Sequence, residues 1–168
     1  MSAGSKLGIN TMGLISAESK LGTNTMRLMS AGSKFESGYD SSGSITATLT
    51  IYYDRSTDAR GDPTIKLTSI SGEYTISDHS VSVKSQWVAF GCSGCIINNA
   101  GLVSQSNDGY TLSASASSWS VSTPSTWKYI STLFQDSTGP IVNAFYTLNL
   151  QRTTSTWSYT LKNVLYGP

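Results

Sequence analysis

The stretch SVSVKSQWVAFGCSGCIIN, from Ser80 to Asn98, carries the strongest indication of the fold. Its first half alternates, and one side of the alternation holds Val81, Val83, Ser85, Trp87 and Ala89. A period of two residues is typical of a β-strand with one buried face. The pattern therefore predicts a central strand that directs Trp87 into the core.

Segments with the same period lie on both sides of this stretch. They cover residues 45–53, 64–70, 73–77, 110–116, 118–122, 126–134, 142–150 and 157–161, with polar turn residues between them. Eight or nine short strands at this spacing are typical of a sandwich or a barrel. We predict an all-β fold, a two-sheet antiparallel β-sandwich with jelly-roll or immunoglobulin-like connections.

The composition is that of a folded, weakly charged protein. Only 12% of the 168 residues are charged, whereas the chain contains 31 Ser, 20 Thr, 9 Tyr and 4 Trp. A formal charge of +1 gives no electrostatic reason to expect a nucleic-acid partner. No apolar run approaches the roughly 18 residues of a membrane-spanning helix, so we expect no membrane span.

A weakly charged, hydroxyl-rich composition is typical of extracellular proteins. In composition alone the chain resembles small secreted β-sandwich proteins, and no functional residue follows from that resemblance. We therefore expect an extracellular or cell-surface location, although residues 1–43 lack the apolar segment of a standard signal peptide.

Residues 2–43 contain a tandem repeat of 14 residues. SAGSKLGINTMGLI is followed by SAESKLGTNTMRLM, and a third copy begins as SAGSKF before the pattern decays. The leucines recur every seven residues, but a coiled-coil seam needs a second apolar position and the repeated glycines disfavour a helix. We predict a flexible or partly helical extension over 1–43, through which oligomers could form, and a β-sandwich domain over 44–168.

Cys92 and Cys95 form a C-x-x-C motif in the central stretch. A zinc site would need further thiolate or imidazole ligands, and the chain has no other Cys and only His79. Redox chemistry of the thioredoxin type needs the motif at a helix N-terminus. A structural disulfide would suit an exported protein, and two reduced thiols would suit a cytosolic one. We favour a disulfide and expect no metal and no cofactor.

Arg60, Gly61 and Asp62 form an RGD tripeptide in a polar loop. Such a tripeptide serves adhesion when its Arg and Asp project from a turn. The alternative is ordinary turn chemistry before Pro63. The tripeptide is therefore a candidate adhesion motif only.

Catalytic motifs are missing from the sequence. His79 is the only histidine, no serine lies in a G-x-S-x-G elbow, and no phosphate loop or dinucleotide fingerprint is present. We therefore predict no enzyme activity and name no catalytic residue.

Aromatic residues give the best indication of a binding role. Trp119 and Trp127 lie in a Ser-rich segment with few apolar neighbours, and Tyr110 and Tyr129 lie near them in the chain. Exposed indoles beside hydroxyl groups are typical of carbohydrate-binding surfaces, although core packing is the alternative for each Trp. We expect a non-enzymatic binding or structural module. Its partner would be a glycan or a cell-surface component, and a self-assembling shell or filament subunit is the further alternative.

Overall fold

A computed structural model describes residues 29–96, 101–133 and 139–167, and in these ranges the protein is a β-sandwich without helices. Two antiparallel sheets pack against each other, which confirms the predicted fold class. The strands are β1 (Ser30–Tyr39), β2 (Ile45–Thr57), β3 (Pro63–Ile76), β4 (Val81–Cys95), β5 (Leu102–Val103), β6 (Ser106–Leu112), β7 (Ser118–Ser122), β8 (Ile130–Ser131), β9 (Ile141–Arg152) and β10 (Ser155–Tyr166).

The first sheet has the order β1-β2-β3-β7, with β8 also paired to β3. The second has the order β10-β9-β4-β5, with β6 also paired to β4. Consecutive strands form hairpins at β1-β2, β2-β3 and β9-β10, whereas β4 pairs with β9 across a long stretch of chain. The second sheet is therefore completed only when the last third of the chain is in place.

The core lies between the inner faces of the two sheets. Alternate residues of β2, β3, β4 and β9 supply it, among them Ile51, Leu67, Val88 and Leu148, each with no exposed surface. These residues follow the period-two pattern of their strands, because a strand with one buried face directs every second side chain inward. Removal of this apolar surface from water is the main stabilising contribution.

A β-bulge in β4 overturns the prediction that Trp87 is a core residue. Val83 pairs with Leu150 of β9 while Ser85 pairs with Asn149, so Lys84 is one extra residue in β4. A shift of one residue exchanges the two faces of a strand. After the bulge Gln86 and Val88 point inward, and Trp87 lies on the outer face with 37% of its surface exposed.

Strand β1 corrects the predicted N-terminal extension. The third repeat copy is not flexible or helical, because Ser30–Tyr39 pairs with β2 along its whole length. The predicted boundary between residues 43 and 44 therefore falls inside the first hairpin of the sandwich. The first two repeat copies lie outside the described residues except for Met29.

Side chains join the two sheets where their edge strands β1 and β10 approach each other. The fully buried Asn163 of β10 donates from Nδ2 to the carbonyls of Lys34 and Leu49, both at 2.8 Å. Lys34 Nζ donates to the carbonyl of Val164 at 2.5 Å and lies 3.6 Å from Glu36 Oε1. This side of the sandwich is thus closed by specific polar contacts, without a shared β-ladder.

Candidate functional site

The two tryptophans proposed for glycan binding do not form an exposed platform. Trp127 is only 9% exposed and its ring packs against Phe90, with the ring centroids 5.7 Å apart. Trp119 lies beside Gly72 of β3 and meets the ring of Tyr146 edge-on at 5.0 Å. Both indoles therefore contribute to packing, which was the alternative role for each.

Two glutamines explain why this Ser-rich segment lies over the core. The side-chain amide of Gln105 donates to the carbonyls of Cys92 and Lys128 at 3.0 and 3.1 Å, and it accepts from the Lys128 amide. Gln86 donates to the carbonyls of Ser113 and Ala116 at 2.6 and 2.8 Å. Buried polar groups require such partners, so the two amides anchor the segment on both sides of Trp119 and Trp127.

The predicted partners Tyr110 and Tyr129 have separate surroundings. Tyr110 is 40% exposed and its ring stacks in parallel with Phe90, with the centroids 6.1 Å apart. Tyr129 is half-buried, and Lys66 Nζ lies 6.0 Å from its ring centroid. Neither tyrosine extends an exposed surface of Trp119 or Trp127, because those indoles are directed into the packing.

The outer face of the second sheet carries an exposed indole beside hydroxyl groups, which the sequence had predicted for Trp119 and Trp127. We call it the Trp87 face, and it consists of the outward side chains Ser85, Trp87, Phe145, Thr147, Asn149, Ser158, Thr160 and Lys162, with Thr111 at one side. Trp87 is paired with Thr147 on β9 and with Thr111 on β6, so hydroxyl groups flank the indole on both sides.

The Trp87 indole packs closely against a glycine. A Cβ atom added to Gly109 would overlap Nε1 of Trp87, so only a residue without a side chain lets the indole lie this close to the β6 backbone. A large ring packed along one edge in this way has less freedom to lose when a ligand stacks on it. The indole is therefore a preorganised apolar surface.

Hydrogen bonds order the polar groups next to this indole. Ser158 Oγ donates to Asn149 Oδ1 at 2.6 Å, and Asn149 Nδ2 donates to Ser85 Oγ at 2.7 Å. In the next row Thr147 and Thr160 join their hydroxyl groups at 2.9 Å. These bonds connect β4, β9 and β10 across the face and fix the directions in which its hydroxyl and amide groups point.

A pocket of about 340 Å³ adjoins the Trp87 face at the bulge of β4. Its lining residues are Lys84, Asn149, Leu150, Thr156, Trp157 and Ser158. This volume lies at the lower end of the range found for small-ligand sites. The bulge thus has two effects on the surface, since it turns Trp87 outward and places Lys84 at the rim of a cavity that shares Asn149 and Ser158 with the face.

The predicted disulfide is absent. Cys92 and Cys95 are three residues apart in the extended strand β4 and are not bonded to each other. Three strand residues span about 10 Å between Cα atoms, whereas a disulfide needs less than about 7 Å. Cys92 faces the core, and burial raises the pKa of its thiol to about 11. The motif is therefore not a disulfide, and the buried Cys92 is not an activated thiolate.

The RGD tripeptide lies in the turn between β2 and β3. Asp58 Oδ1 accepts from the backbone amides of Arg60 and Asp62 at 2.8 and 2.9 Å, and Arg60 and Gly61 are exposed. This arrangement is the local side-chain-to-backbone bonding of an ordered Asp turn. The turn is explained by its own hydrogen bonds, and the adhesion role stays a prediction.

Sequence reasoning missed the Trp87 face because it placed Trp87 on the wrong side of β4. The polar run Lys84-Ser85-Gln86 was the available signal, since it interrupts the apolar side of the alternation. A bulge at this run restores an apolar inner face downstream, but the sequence does not show which of the three residues is the extra one.

Other site types find no support in the ranges that the structure describes. No group of three or more His, Cys, Asp or Glu side chains is arranged to hold a metal ion there. The same ranges contain no helix long and apolar enough to cross a membrane. Comparison of the chain with protein-family models, curated proteins and solved structures finds no match.

Proposed function

We propose that the protein is a non-enzymatic binding module that recognises a neutral carbohydrate through the Trp87 face. One observation carries the proposal: a large indole, packed against the Gly109 backbone, lies exposed within an ordered array of hydroxyl and amide groups. Sugar rings present an apolar face for stacking and hydroxyl groups at their edges. The Trp87 face offers both kinds of contact side by side.

The side chains around Trp87 are uncharged, and the two lysines of the face lie at its opposite ends, which favours a neutral ligand. Lys162 lies over the Phe145 ring, with Nζ 5.7 Å from the centroid, and Lys84 lies at the pocket rim. The groups between them are Ser, Thr and Asn side chains. Stacking on one exposed ring contributes on the order of 1 kcal/mol, so we expect dissociation constants from tens of micromolar to millimolar.

Affinity electrophoresis and calorimetry with soluble neutral polysaccharides test the proposal. Trp87→Ala should weaken binding by about fivefold to tenfold, which corresponds to a loss of about 1 kcal/mol. Because Trp87 is 37% exposed, the same change should lower the free energy of unfolding far less than the roughly 3–5 kcal/mol expected for a buried aromatic ring.

A matched control separates recognition from nonspecific loss. Tyr52 is 40% exposed and belongs to β2 in the first sheet, away from the Trp87 face. Tyr52→Ala should leave binding unchanged, and added salt should have little effect on the wild type because no charge pair drives binding. Equal losses for both variants, or no binding by the whole panel, would overturn the proposal.

A further inference from the structure

Strand β7 is an edge of the first sheet, and half of its backbone groups point away from its neighbour β3. Just before β7, the carbonyl of Ser117 accepts from the amide of Tyr74 at 2.9 Å. Just after it, the amide of Thr123 donates to the carbonyl of Thr68 at 2.9 Å. Residues that bond to one neighbour alternate along an antiparallel strand, so the even-numbered residues of β7 direct N–H and C=O outward. These residues are Ser118, Ser120 and Ser122.

The outward backbone groups of β7 face an open position. In the described part of the chain, β7 pairs with β3 on one side and with no strand on the other. No backbone hydrogen bond from a described turn or loop reaches these three serines, and all three residues are exposed. The first sheet therefore ends at β7 with a row of unpaired donors and acceptors.

The other edge strands carry features that hinder the addition of a further strand. Strand β1 directs Lys34 and Glu36 inward, and β10 carries Lys162 and a register shift near its end. Strand β6 pairs with β4 in an irregular register, and β5 and β8 have two residues each. Strand β7 reads SWSVS, without charge or proline, and its register with β3 is regular. Such an edge is a template for another strand.

We propose that β7 pairs in antiparallel orientation with β7 of a second copy of this chain, around a two-fold axis at Ser120. Ser120 then lies opposite Ser120 of the second molecule, and Ser118 lies opposite Ser122. These are the residues whose backbone groups point outward, so each of the three pairs exchanges two N–H···O bonds. The contact is isologous and closes after two molecules.

The side chains of β7 are complementary to themselves in this register. Trp119 and Val121 point inward, pack against the core and are only half-buried. The pairing places Trp119 of each molecule opposite Val121 of the other, and aromatic and β-branched residues make favourable pairs across strands. On the outer side serine meets serine, so no charges of like sign oppose each other.

The pairing would join the first sheets of two molecules into one continuous sheet. An antiparallel pair of this kind keeps the outer face of the sheet on the same side in both molecules. The Trp87 faces of the two molecules then also lie on one side of the pair, and a polymer bound at one face can reach the other. This consequence rests on the proposed function, whereas the pairing itself does not.

Sedimentation equilibrium of the full-length chain tests the pairing. The weight-average mass should rise with concentration from 17.9 kDa toward twice that value. Ser120→Pro removes an N–H that the bonds to β3 do not use, so the variant should still unfold cooperatively. The two-fold axis repeats the loss, and self-association should weaken about tenfold or more. The control Ser120→Thr keeps the N–H and should associate like the wild type.

A charged variant gives a second measurement that does not depend on proline. Ser120→Lys places two like charges opposite each other across the two-fold axis, so it should also weaken self-association. Added salt should restore part of the loss, because it screens exposed charges. A loss of association through damage to the fold would not recover with salt.

Disulfide cross-linking tests the register, in chains that carry Cys95→Ser so that the buried Cys92 is the only other thiol. Ser120→Cys should form a 120–120 disulfide, because paired residues of this kind have Cα atoms about 5.5 Å apart. Ser122→Cys alone should form no 122–122 disulfide above background. A mixture of Ser118→Cys and Ser122→Cys chains should form a 118–122 disulfide, identified by peptide mapping.

Three results would overturn the proposal. A wild-type mass that stays at 17.9 kDa at every concentration would leave the edge to an extended segment of a different protein. Equal yields of the 120–120 and 122–122 disulfides would show that random collision produces them. Undiminished self-association of a cooperatively folded Ser120→Pro variant would place the contact elsewhere on the molecule.

Discussion

Gln86 is a fully buried amide at the centre of the second sheet, and all of its polar atoms have partners. Its side chain donates to the carbonyls of Ser113 and Ala116 and accepts from the hydroxyl of Tyr146. Burial raises the pKa of Tyr146, so that phenol stays protonated and remains a donor. Gln86 thus connects β4 to β9 and to the turn between β6 and β7.

We predict that Gln86→Leu lowers the free energy of unfolding by about 2–4 kcal/mol, because two carbonyls and one hydroxyl group lose their partner inside the protein. Urea denaturation measures the change. The control is Gln151→Leu on the outer face, where the side chain bonds only to the Thr153 carbonyl and the cost should stay near 0.5 kcal/mol. Equal costs for the two variants would contradict the assigned role of Gln86.

Asp40 ties the β1-β2 turn to β10, and its ionisation should make stability depend on pH. Burial alone would raise the pKa of Asp40, but hydrogen bonds from Ser42, the Ile45 amide and Trp157 Nε1 outweigh it and lower the pKa from its usual 3.8. A lowered folded pKa means that the carboxylate stabilises the fold above pH 3.8 and that this contribution is lost as the pH falls through the folded value.

We therefore predict that Asp40→Asn is destabilising at neutral pH and that the difference from the wild type shrinks as the solution is acidified below pH 3.8. Denaturant unfolding across this pH range measures it. Asp78 is present in both proteins, and its own lowered pKa therefore cancels in the comparison. A difference that stays constant with pH would assign the effect to packing instead of charge.

The strands differ in how clearly the sequence indicates them. Strands β2 and β9 lie inside their sheets, so their alternation is apolar inward and polar outward and was predicted from the sequence. Strand β1 reverses this rule, since its inner side holds Gly32, Lys34, Glu36 and Gly38. The space beneath it is filled by Tyr53 and Tyr159, so β1 contributes little apolar surface and its pattern resembles an unstructured segment. Inward charges on an edge strand also hinder pairing with other chains.

Removal of β1 tests its place in the fold. A chain that begins at residue 41 should be less stable than one that begins at residue 29 by about 3 kcal/mol or more, because the edge of β2 and the Asn163 amide both lose their partners. Thermal and urea unfolding of the two truncated chains measure the difference. Equal stability would show that the third repeat copy is dispensable for the fold. That is the result implied by the predicted extension over residues 1–43.

At the scale of the whole molecule, the sequence predicted the class of fold but not how the two sheets close on each other or where the exposed aromatic surface lies. Closure depends on single side chains such as Asn163 and Lys34, which have no periodic signal. The Trp87 face depends on one extra residue in β4, and the burial of Trp127 depends on the distant Gln105. Each of these is a tertiary contact between segments far apart in the chain.

Global unfolding of the sandwich should be measurable as the labelling rate of the Cys92 thiol. Because Cys92 has no exposed surface and a pKa raised to about 11, we predict that it reacts with a thiol reagent only when the protein unfolds. The labelling rate of Cys92 should therefore fall as stability rises. After denaturation without reductant, two thiols per chain should titrate, and none would instead indicate the disulfide that the strand geometry excludes.

The bulge at Lys84 has a consequence for sequence change in β4. Beyond the bulge, residues that pack between the two sheets alternate along β4 with residues that face solvent. The inward residues must fit the core, and the outward residues need not. Outward positions of β4, β9 and β10 can therefore vary without disturbing the packing beneath them. A randomised library at Ser85, Thr147, Asn149 and Ser158 should yield many folded members, which would make this sheet a scaffold for the display and selection of new specificities.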